Sequence, residues 1–440
     1  MKNFEQLTDD LAPKKFGFYG KLWVGFLVII ILGGIYGYYQ QFTKGLVISG
    51  MRDYVMWGIY ISNFVFFVAI SLVGSLITAI LRLSGVTWAT PLTRIAEIIA
   101  VAAIIMGGLT IIIDMGRPDR IYNLLLHGRL QSPIVWDVIV VTTYLTISIL
   151  LLLFPLLPDF HILSKKFERN KKLSKIYSKL SLNWDGNFYQ RRIYKWSIRT
   201  LSVLIIPVAF AIHTVTSWLF AATYRPGWDS SNFGPYFIAG AFVAGAGGVV
   251  CVMYLVRKFR HLEDYITDYH FDRMGKLLVL LILIYIYFNV NEYLVPALKN
   301  TKIEAEHLRV LFLGELSPLF WTVILGGLVF PAVALLFKGM RKPFPLFIIG
   351  LIVVIAAWWK RFVIVTPTLL HPFLPIQGAP ESWRHYTPTH LEWLITWGTL
   401  AGAMLIVTIL IRYIPVIPIH ETAEERGIIE PRHTKRNERK

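Results

Sequence analysis

Ten long apolar segments are the feature that most constrains the fold of this chain. An α-helix of about 20 apolar residues crosses the hydrocarbon core of a membrane. In that core only helices and closed barrels satisfy their backbone hydrogen bonds, and these segments are too long to be barrel strands. The sequence therefore predicts an all-α, polytopic transmembrane protein. The predicted helices, numbered 1 to 10, cover residues 22–39, 55–81, 92–113, 133–156, 199–222, 234–256, 276–297, 316–337, 343–366 and 391–411.

The composition supports a membrane protein and excludes several redox groups. Only 16% of the 440 residues are charged, whereas soluble domains average about 25%. The single cysteine, Cys251, cannot form an internal disulfide, a cysteine-ligated iron–sulfur cluster or the paired attachment of a c-type haem. His213 is the only histidine well inside a predicted helix, which disfavours a b-type haem. We predict no metal site, haem or iron–sulfur cluster in this chain, so any electron must be exchanged with another subunit.

The distribution of lysine and arginine predicts the orientation of the helices. Basic residues concentrate in cytoplasmic loops. The N-terminal segment, the loops after helices 2, 4, 6 and 8 and the C-terminal tail, with the adjoining helix ends, hold 32 of the 44 lysines and arginines. We therefore predict that both termini are cytoplasmic. The net charge of +17 could suggest nucleic acid, but basic residues of a membrane protein usually mark its cytoplasmic loops, so no nucleic-acid partner is expected.

The order of the helices is consistent with two four-helix bundles, each starting from the outer face, with a flanking helix on either side. The basic loop between helices 4 and 5 either holds that loop in the cytoplasm or binds membrane lipid or a partner. The predicted divisions are an N-terminal segment at 1–21, a first flanking helix with its outer loop at 22–54, a first bundle at 55–222 that includes the basic loop 157–198, a second bundle at 234–366, a last flanking helix at 391–411 and a charged cytoplasmic tail at 412–440.

Polar and ionisable residues within six of the predicted helices lie near the outer face. Such residues are costly in lipid and are candidates for function. We predict that together they form a polar pocket. Individually, each could instead make a structural hydrogen bond or ion pair, such as Asp114 with Arg117, or Glu292 with Lys360 or Arg361. The residues concerned are Asn63, Asp114, Asp137, His213, Asn289, Asn291, Glu292, Lys360 and Arg361.

A quinone is the ligand that such a pocket suits, because its two carbonyls need hydrogen-bond donors and, on reduction, two protons. Trp136, Trp218, Trp228 and Tyr236 could form aromatic walls, although aromatic residues at this depth also form the interfacial belt. A proton- or ion-coupled secondary transporter is an alternative, although its polar groups would lie at the midplane. A structural membrane anchor for a soluble redox complex is another.

Several short motifs, taken in their order along the chain, resemble the NrfD/PsrC family of quinone-interacting membrane subunits. The resemblance is closest to the ten-helix branch found in alternative complex III and in sulfite-reduction-associated complexes, and it covers most of the chain from helix 2 onward. The motifs include Trp57-Gly-Ile-Tyr-Ile-Ser-Asn63-Phe-Val, Gly116-Arg-Pro, Ser132-Pro-Ile-Val-Trp-Asp137, His213-Thr-Val-Thr-Ser-Trp218 and Arg225-Pro-Gly-Trp-Asp229.

The resemblance implies a subunit of a respiratory electron-transport complex in the cytoplasmic membrane of a bacterium or archaeon. Its pocket would hold menaquinone or ubiquinone beneath a ferredoxin-like iron–sulfur subunit, which in turn joins a molybdopterin or multihaem cytochrome c subunit. Proton translocation from the cytoplasmic side is also implied.

On this interpretation each candidate residue has a role. Asp114, His213 and Asp137 would be the catalytic residues. Protons would pass along a path that includes Glu97, Glu292 and Arg361. The quinone-binding residues would be Asn63, Asp114, Arg117, Trp136, His213, Trp218 and Asp229.

Overall fold

The computed structural model describes residues 3–374 and 376–429, and within them it is helical with no β-strand. Ten helices in this part of the chain are long and apolar enough to cross a membrane. The predicted fold class and the ten predicted helices are therefore confirmed. The helices are α1 (Phe18–Lys44), α2 (Ile59–Leu83), α3 (Thr90–Asp114), α4 (Pro133–Leu153), α5 (Phe188–Ala221), α6 (Phe233–Arg260), α7 (Asp268–Lys299), α8 (Ser317–Ala334), α9 (Pro343–Leu369) and α10 (His390–Tyr413).

Several helices extend beyond the apolar segments that predict them. The largest extension is in α5, which begins at Phe188 rather than near residue 199. Asn187 caps this end, because its side chain accepts a hydrogen bond from the backbone N–H of Gln190 at 2.9 Å. Hydropathy marks only the part of a helix that lies in hydrocarbon, whereas helical hydrogen bonding continues into the polar region. The segment 157–198, predicted as a basic loop, is mostly helical. It contains the start of α5 and two further helices, Leu156–Lys166 and Lys171–Leu180.

The helices form two four-helix bundles that pack against each other. Helices α2 to α5 form the first bundle and α6 to α9 the second, and α6 packs against α2 and α5 of the first. Helices α1 and α10 pair outside the bundles, and α10 rests on α3. Gly34 and Gly398 permit the α1–α10 pair, since a Cβ atom on Gly34 would lie 2.8 Å from the Cα of Gly398. Two bundles with flanking helices are the architecture expected from the sequence.

Consecutive connections alternate between two ends of the molecule. The end that carries residues 3–17, 84–89, 154–187, 261–267, 335–342 and 414–429 is called the basic face below. The end that carries residues 45–58, 115–132, 222–232, 300–316, 370–374 and 376–389 is called the opposite face.

Candidate functional site

A cavity lies at the opposite face, within the second bundle. It is enclosed by α6, α7 and α9, by the connection before α6, and by a short helix, Lys302–Phe312. Its walls combine aromatic rings with a few polar groups. The lining residues are Gly227, Trp228, Phe233, Tyr236, Glu292, Tyr293, Pro296, His307, Leu308, Leu311, Val363, Ile364 and Thr368.

Trp228 forms one wall of the cavity. Gly227, the preceding residue, has a φ of +87°, a conformation that glycine adopts without the steric cost of a Cβ atom. The turn directs the indole of Trp228 inward, where its Nε1 donates to the carbonyl oxygen of Ile364 at 2.9 Å. The ring also stacks on Trp57, with centroids 5.9 Å apart. Contacts from α9 and from the connection before α2 therefore hold this wall in place.

Glu292 is the carboxylate of the cavity. It is buried and accepts hydrogen bonds from Oγ of Ser230 at 2.8 and 3.0 Å and from Nδ2 of Asn232 at 3.0 Å. A buried carboxylate needs such donors to offset the loss of water. The connection before α6 supplies both donors, so it fixes the orientation of Glu292 on α7.

Two buried cations lie beside the cavity on α9. Nζ of Lys360 donates to the hydroxyl of Tyr293 at 2.8 Å, and Glu292 and Arg361 both act on it electrostatically. The guanidinium of Arg361 lies 4.8 Å from the ring centroid of Phe237. Neither cation forms a salt bridge with Glu292, so the ion pair considered in the sequence analysis is absent from this described part of the chain.

His213 and Asp137 lie in the first bundle, and both are buried. Within the described residues, neither ring nitrogen of His213 has a hydrogen-bond partner of normal geometry, although the backbone of Ala209 and the charge of Arg361 both act on the ring. Thr216, one turn further along α5, donates to Oδ1 of Asp137 at 2.6 Å. The structure therefore places these two predicted residues on adjacent helices, and of the two only His213 has Arg361 of the second bundle as an electrostatic neighbour. They do not line the cavity.

Asn63 links three helices. Its Oδ1 accepts from Nε1 of Trp358 on α9 at 2.8 Å, and its Nδ2 donates to Oγ1 of Thr396 on α10 at 3.0 Å. Both ends of the amide are thus engaged, and the side chain is buried. This geometry gives Asn63 a role in helix packing.

Asp114 lies apart from the cavity, at the end of α3. Its Oδ1 is buried without a hydrogen-bond partner among residues 3–374 and 376–429, and Glu392 and Tyr60 are its electrostatic neighbours. Arg117 does not pair with Asp114; it pairs with Asp119 at 3.0 Å on the surface. Gly116, with a φ of +67°, turns the chain between Asp114 and Arg117.

Trp136, Trp218 and Asp229 are exposed at the surface of the described structure. The indoles of Trp136 and Trp218 are 46% and 56% exposed, and Nε1 of Trp136 donates to the carbonyl oxygen of Leu130 at 2.6 Å. These tryptophans face outward, where lipid or another subunit would contact them, and they do not form walls of the cavity.

The predicted proton-path residue Glu97 lies near the basic face. It is buried and forms a salt bridge with Arg82 at 2.7 Å, and Arg82 lies 3.8 Å from Glu421 of the C-terminal segment. Arg94, considered as a partner for Glu97, pairs instead with Asp159. Glu97 is therefore separated from the cavity and belongs to the other end of the molecule.

Two residues that the sequence analysis did not single out, Tyr293 and His307, line the cavity. His307 lies on the helix Lys302–Phe312, which Thr301 caps by accepting from the backbone N–H of Glu304 at 3.4 Å. Threonine three residues before glutamate, followed by apolar residues at helical spacing, is a sequence signal for such a helix. The helix could have been predicted from this signal, but its contact with the cavity could not.

Comparisons with known proteins agree with this architecture. The sequence model of the polysulphide reductase NrfD family matches residues 47–372. A putative dimethyl sulfoxide reductase membrane subunit of Halobacterium salinarum is 28% identical, over 93% of this chain and 95% of that protein. A selenate reductase subunit of Mesobacillus selenatarsenatis is 23% identical, over 91% and 96%. The Hdr-like menaquinol oxidoreductase integral membrane subunit of Archaeoglobus fulgidus is also 23% identical, over 91% and 96%.

The family match confirms the resemblance inferred from the motifs. It covers both bundles, and the relatives align over nearly their whole lengths. This chain therefore belongs to the polysulphide reductase NrfD family, and it is a multi-pass integral membrane protein.

Proposed function

We propose that this chain binds a quinone or quinol in the cavity at the opposite face and exchanges its electrons with a redox centre of a partner subunit. The observation that carries the proposal is the lining of the cavity, in which aromatic walls surround Glu292, Tyr293 and His307. A quinone head group is flat and apolar except for two carbonyl oxygens, so it requires a lining of this kind. The NrfD family assignment supports the same function.

The hydrogen bonds of the cavity fit the chemistry of a quinone. Lys360 has N–H donors and no acceptor, so it uses the oxygen of the Tyr293 hydroxyl as its acceptor. The O–H of Tyr293, which also interacts with the side chain of Tyr236, would then donate to a carbonyl oxygen of the head group. Glu292 and His307 supply groups that can accept protons when a quinol is oxidised and return them when a quinone is reduced.

One relative supports a choice of quinone, and the family resemblance suggests the kind of partner. One of them is a menaquinol oxidoreductase subunit, and we propose menaquinone as the substrate of this chain. The partner that exchanges electrons would be a ferredoxin-like iron–sulfur subunit on the opposite face, joined to a molybdopterin or multihaem cytochrome c subunit. Translocated protons would enter near Glu97 and pass Arg361.

Purification of the tagged chain from its native membranes tests this proposal. We expect subunits that carry redox centres to co-purify, menaquinone to be extracted with the complex, and the complex to turn over a soluble naphthoquinol. Mass spectrometry, quinone analysis and steady-state assays measure the three outcomes. Isolation of the chain alone, with neither bound quinone nor quinol turnover, would contradict the proposed function.

We further propose that the basic face is cytoplasmic, because it carries most of the lysines and arginines. In a Cys251→Ser background, a cysteine can be placed at Glu168 on the basic face or at Glu315 on the opposite face, both of which are exposed. A membrane-impermeant maleimide added to spheroplasts is expected to label Glu315→Cys at once. Labelling of Glu168→Cys should require permeabilisation. The reverse pattern would show that the orientation is inverted.

A further inference from the structure

Two histidines lie between the cavity and the surface of the opposite face, and the sequence did not indicate a role for either. His307 lines the cavity, and His371 follows the end of α9 by two residues. Their ring centroids are 6.1 Å apart in an edge-to-face arrangement. His371 is partly exposed, so the pair leads from the buried cavity to the surface.

Both rings carry an unused nitrogen. Nδ1 of His307 and Nε2 of His371 are buried and lack a hydrogen-bond partner in the part of the chain that the structure describes. Buried polar atoms of this kind are rare in folded proteins, because each one costs free energy that a partner would recover. A ligand or a water molecule would satisfy them. Proton transfer between two side chains can also run through one intervening water molecule.

The surrounding residues fix the position of His307. Thr301 donates to Oε2 of Glu304 at 2.7 Å, and Lys299 lies 3.3 Å from Oε1 of the same carboxylate. These contacts anchor the start of the helix Lys302–Phe312. Residues three and four positions apart share a helix face, so the buried side of this helix presents His307, one turn after Glu304, to the cavity.

We propose that His307 and His371 form a proton relay between the quinone cavity and the aqueous phase at the opposite face. The proposal rests on the proposed quinone function and adds the route of the protons. Oxidation of one quinol breaks two O–H bonds, and two electrons pass one at a time to an iron–sulfur centre of a partner subunit. Each proton moves in turn from the quinol oxygen to His307, then to His371 and then to water. Reduction of a quinone uses the same route in reverse.

The electrostatic surroundings of His307 and His371 favour the transfer of a proton over its retention. Burial and the neighbouring His371 lower the pKa of His307 to about 3, so its imidazole is neutral at pH 7 and can accept a proton. Burial also lowers the pKa of His371, while the carboxylate of Glu306 opposes this shift and Arg384 adds to it. A proton received by His307 is therefore passed on rather than retained.

Substitutions of the two histidines in the purified complex test the relay. General acid–base catalysis contributes about 100-fold or more, so His307→Gln is expected to lower naphthoquinol turnover by about that factor. Its half-saturating quinol concentration should change by less than about 3-fold, because the loss affects proton transfer rather than binding. His371→Gly is expected to lower turnover by about 10-fold, and added imidazole should restore it, since His371 lies near the surface. His127→Gln, an exposed histidine on the same face, is the control and should retain wild-type turnover.

The outcomes separate the relay from the proposed function. Wild-type complex that neither binds nor turns over quinol would overturn both. Wild-type turnover in both His307→Gln and His371→Gly would overturn the relay alone. Loss of quinol binding in His307→Gln, or failure of imidazole to rescue His371→Gly, would show that the histidines have a structural role and would also overturn the relay.

Discussion

Replacing Glu292 with glutamine is expected to lower quinol-dependent turnover by about 100-fold. The carboxylate accepts hydrogen bonds from Ser230 and Asn232, and an amide at this position would direct an N–H₂ group at one of these donors. The substitution also removes the negative charge that acts on Lys360 and the group that can take a proton from the quinol. Steady-state assays of the purified complex measure the effect.

In Glu292→Gln, a loss of turnover caused by unfolding must be distinguished from one caused by the missing carboxylate. Glu292 and Lys360 form no salt bridge, but the carboxylate acts electrostatically on the buried ammonium, so Glu292→Gln is expected to destabilise the protein by leaving the charge of Lys360 uncompensated. The double variant Glu292→Gln with Lys360→Met removes both charges and should recover stability without recovering turnover. Glu315→Gln is a control, since this carboxylate is exposed on the same face. Wild-type turnover in Glu292→Gln would exclude Glu292 from the mechanism.

Replacing Arg94 with methionine is expected to lower the free energy of unfolding by about 3–5 kcal/mol. Arg94 pairs with Asp159, and both side chains are fully buried. Asp159 also accepts the backbone N–H of His420 at 2.9 Å, and Arg94 donates to the carbonyl oxygen of Pro155 at 3.0 Å. The pair thus joins α3, the segment after α4 and the C-terminal segment. The substitution leaves the buried carboxylate of Asp159 without its cation. Thermal unfolding in detergent measures the change.

Two further variants show whether burial causes this effect. Arg94→Met combined with Asp159→Leu removes both charges and is expected to recover much of the lost stability, because well-packed apolar residues can replace a buried ion pair. Arg117→Met breaks a pair whose side chains are 65% and 52% exposed, and it should change the free energy of unfolding by less than about 1 kcal/mol. Equal losses in Arg94→Met and Arg117→Met would contradict the argument.

The ten helices and the family could be predicted from the sequence because both depend on local signals. A helix that crosses hydrocarbon must be predominantly apolar over about 20 residues, and that property is read directly from the sequence. The ends of the helices were less predictable. Helix α5 begins at Phe188 because Asn187 caps it there, outside the apolar segment.

The cavity was predicted only in part. Glu292 lines it, with Lys360 and Arg361 beside it, and Trp228 and Tyr236 form walls as expected. Asn63, Asp114 and Asp137 lie toward the same end of the molecule but have other neighbours, and Trp136, Trp218, Arg117 and Asp229 are exposed. His307 reaches the cavity from a short helix between α7 and α8, which lies outside the apolar segments from which the helices were predicted.

The helices were predicted more completely than the cavity, and this difference has a physical cause. The residues alone were enough to establish the number of crossings, the family and the depth at which the polar side chains lie, because depth along a helix follows from a rise of about 1.5 Å per residue. Which of those polar side chains meet depends on how the helices pack. Helices that are apolar all round show no periodic face from which a direction can be read, so the neighbouring helices decide whether Glu292 turns into a cavity and Trp218 toward lipid.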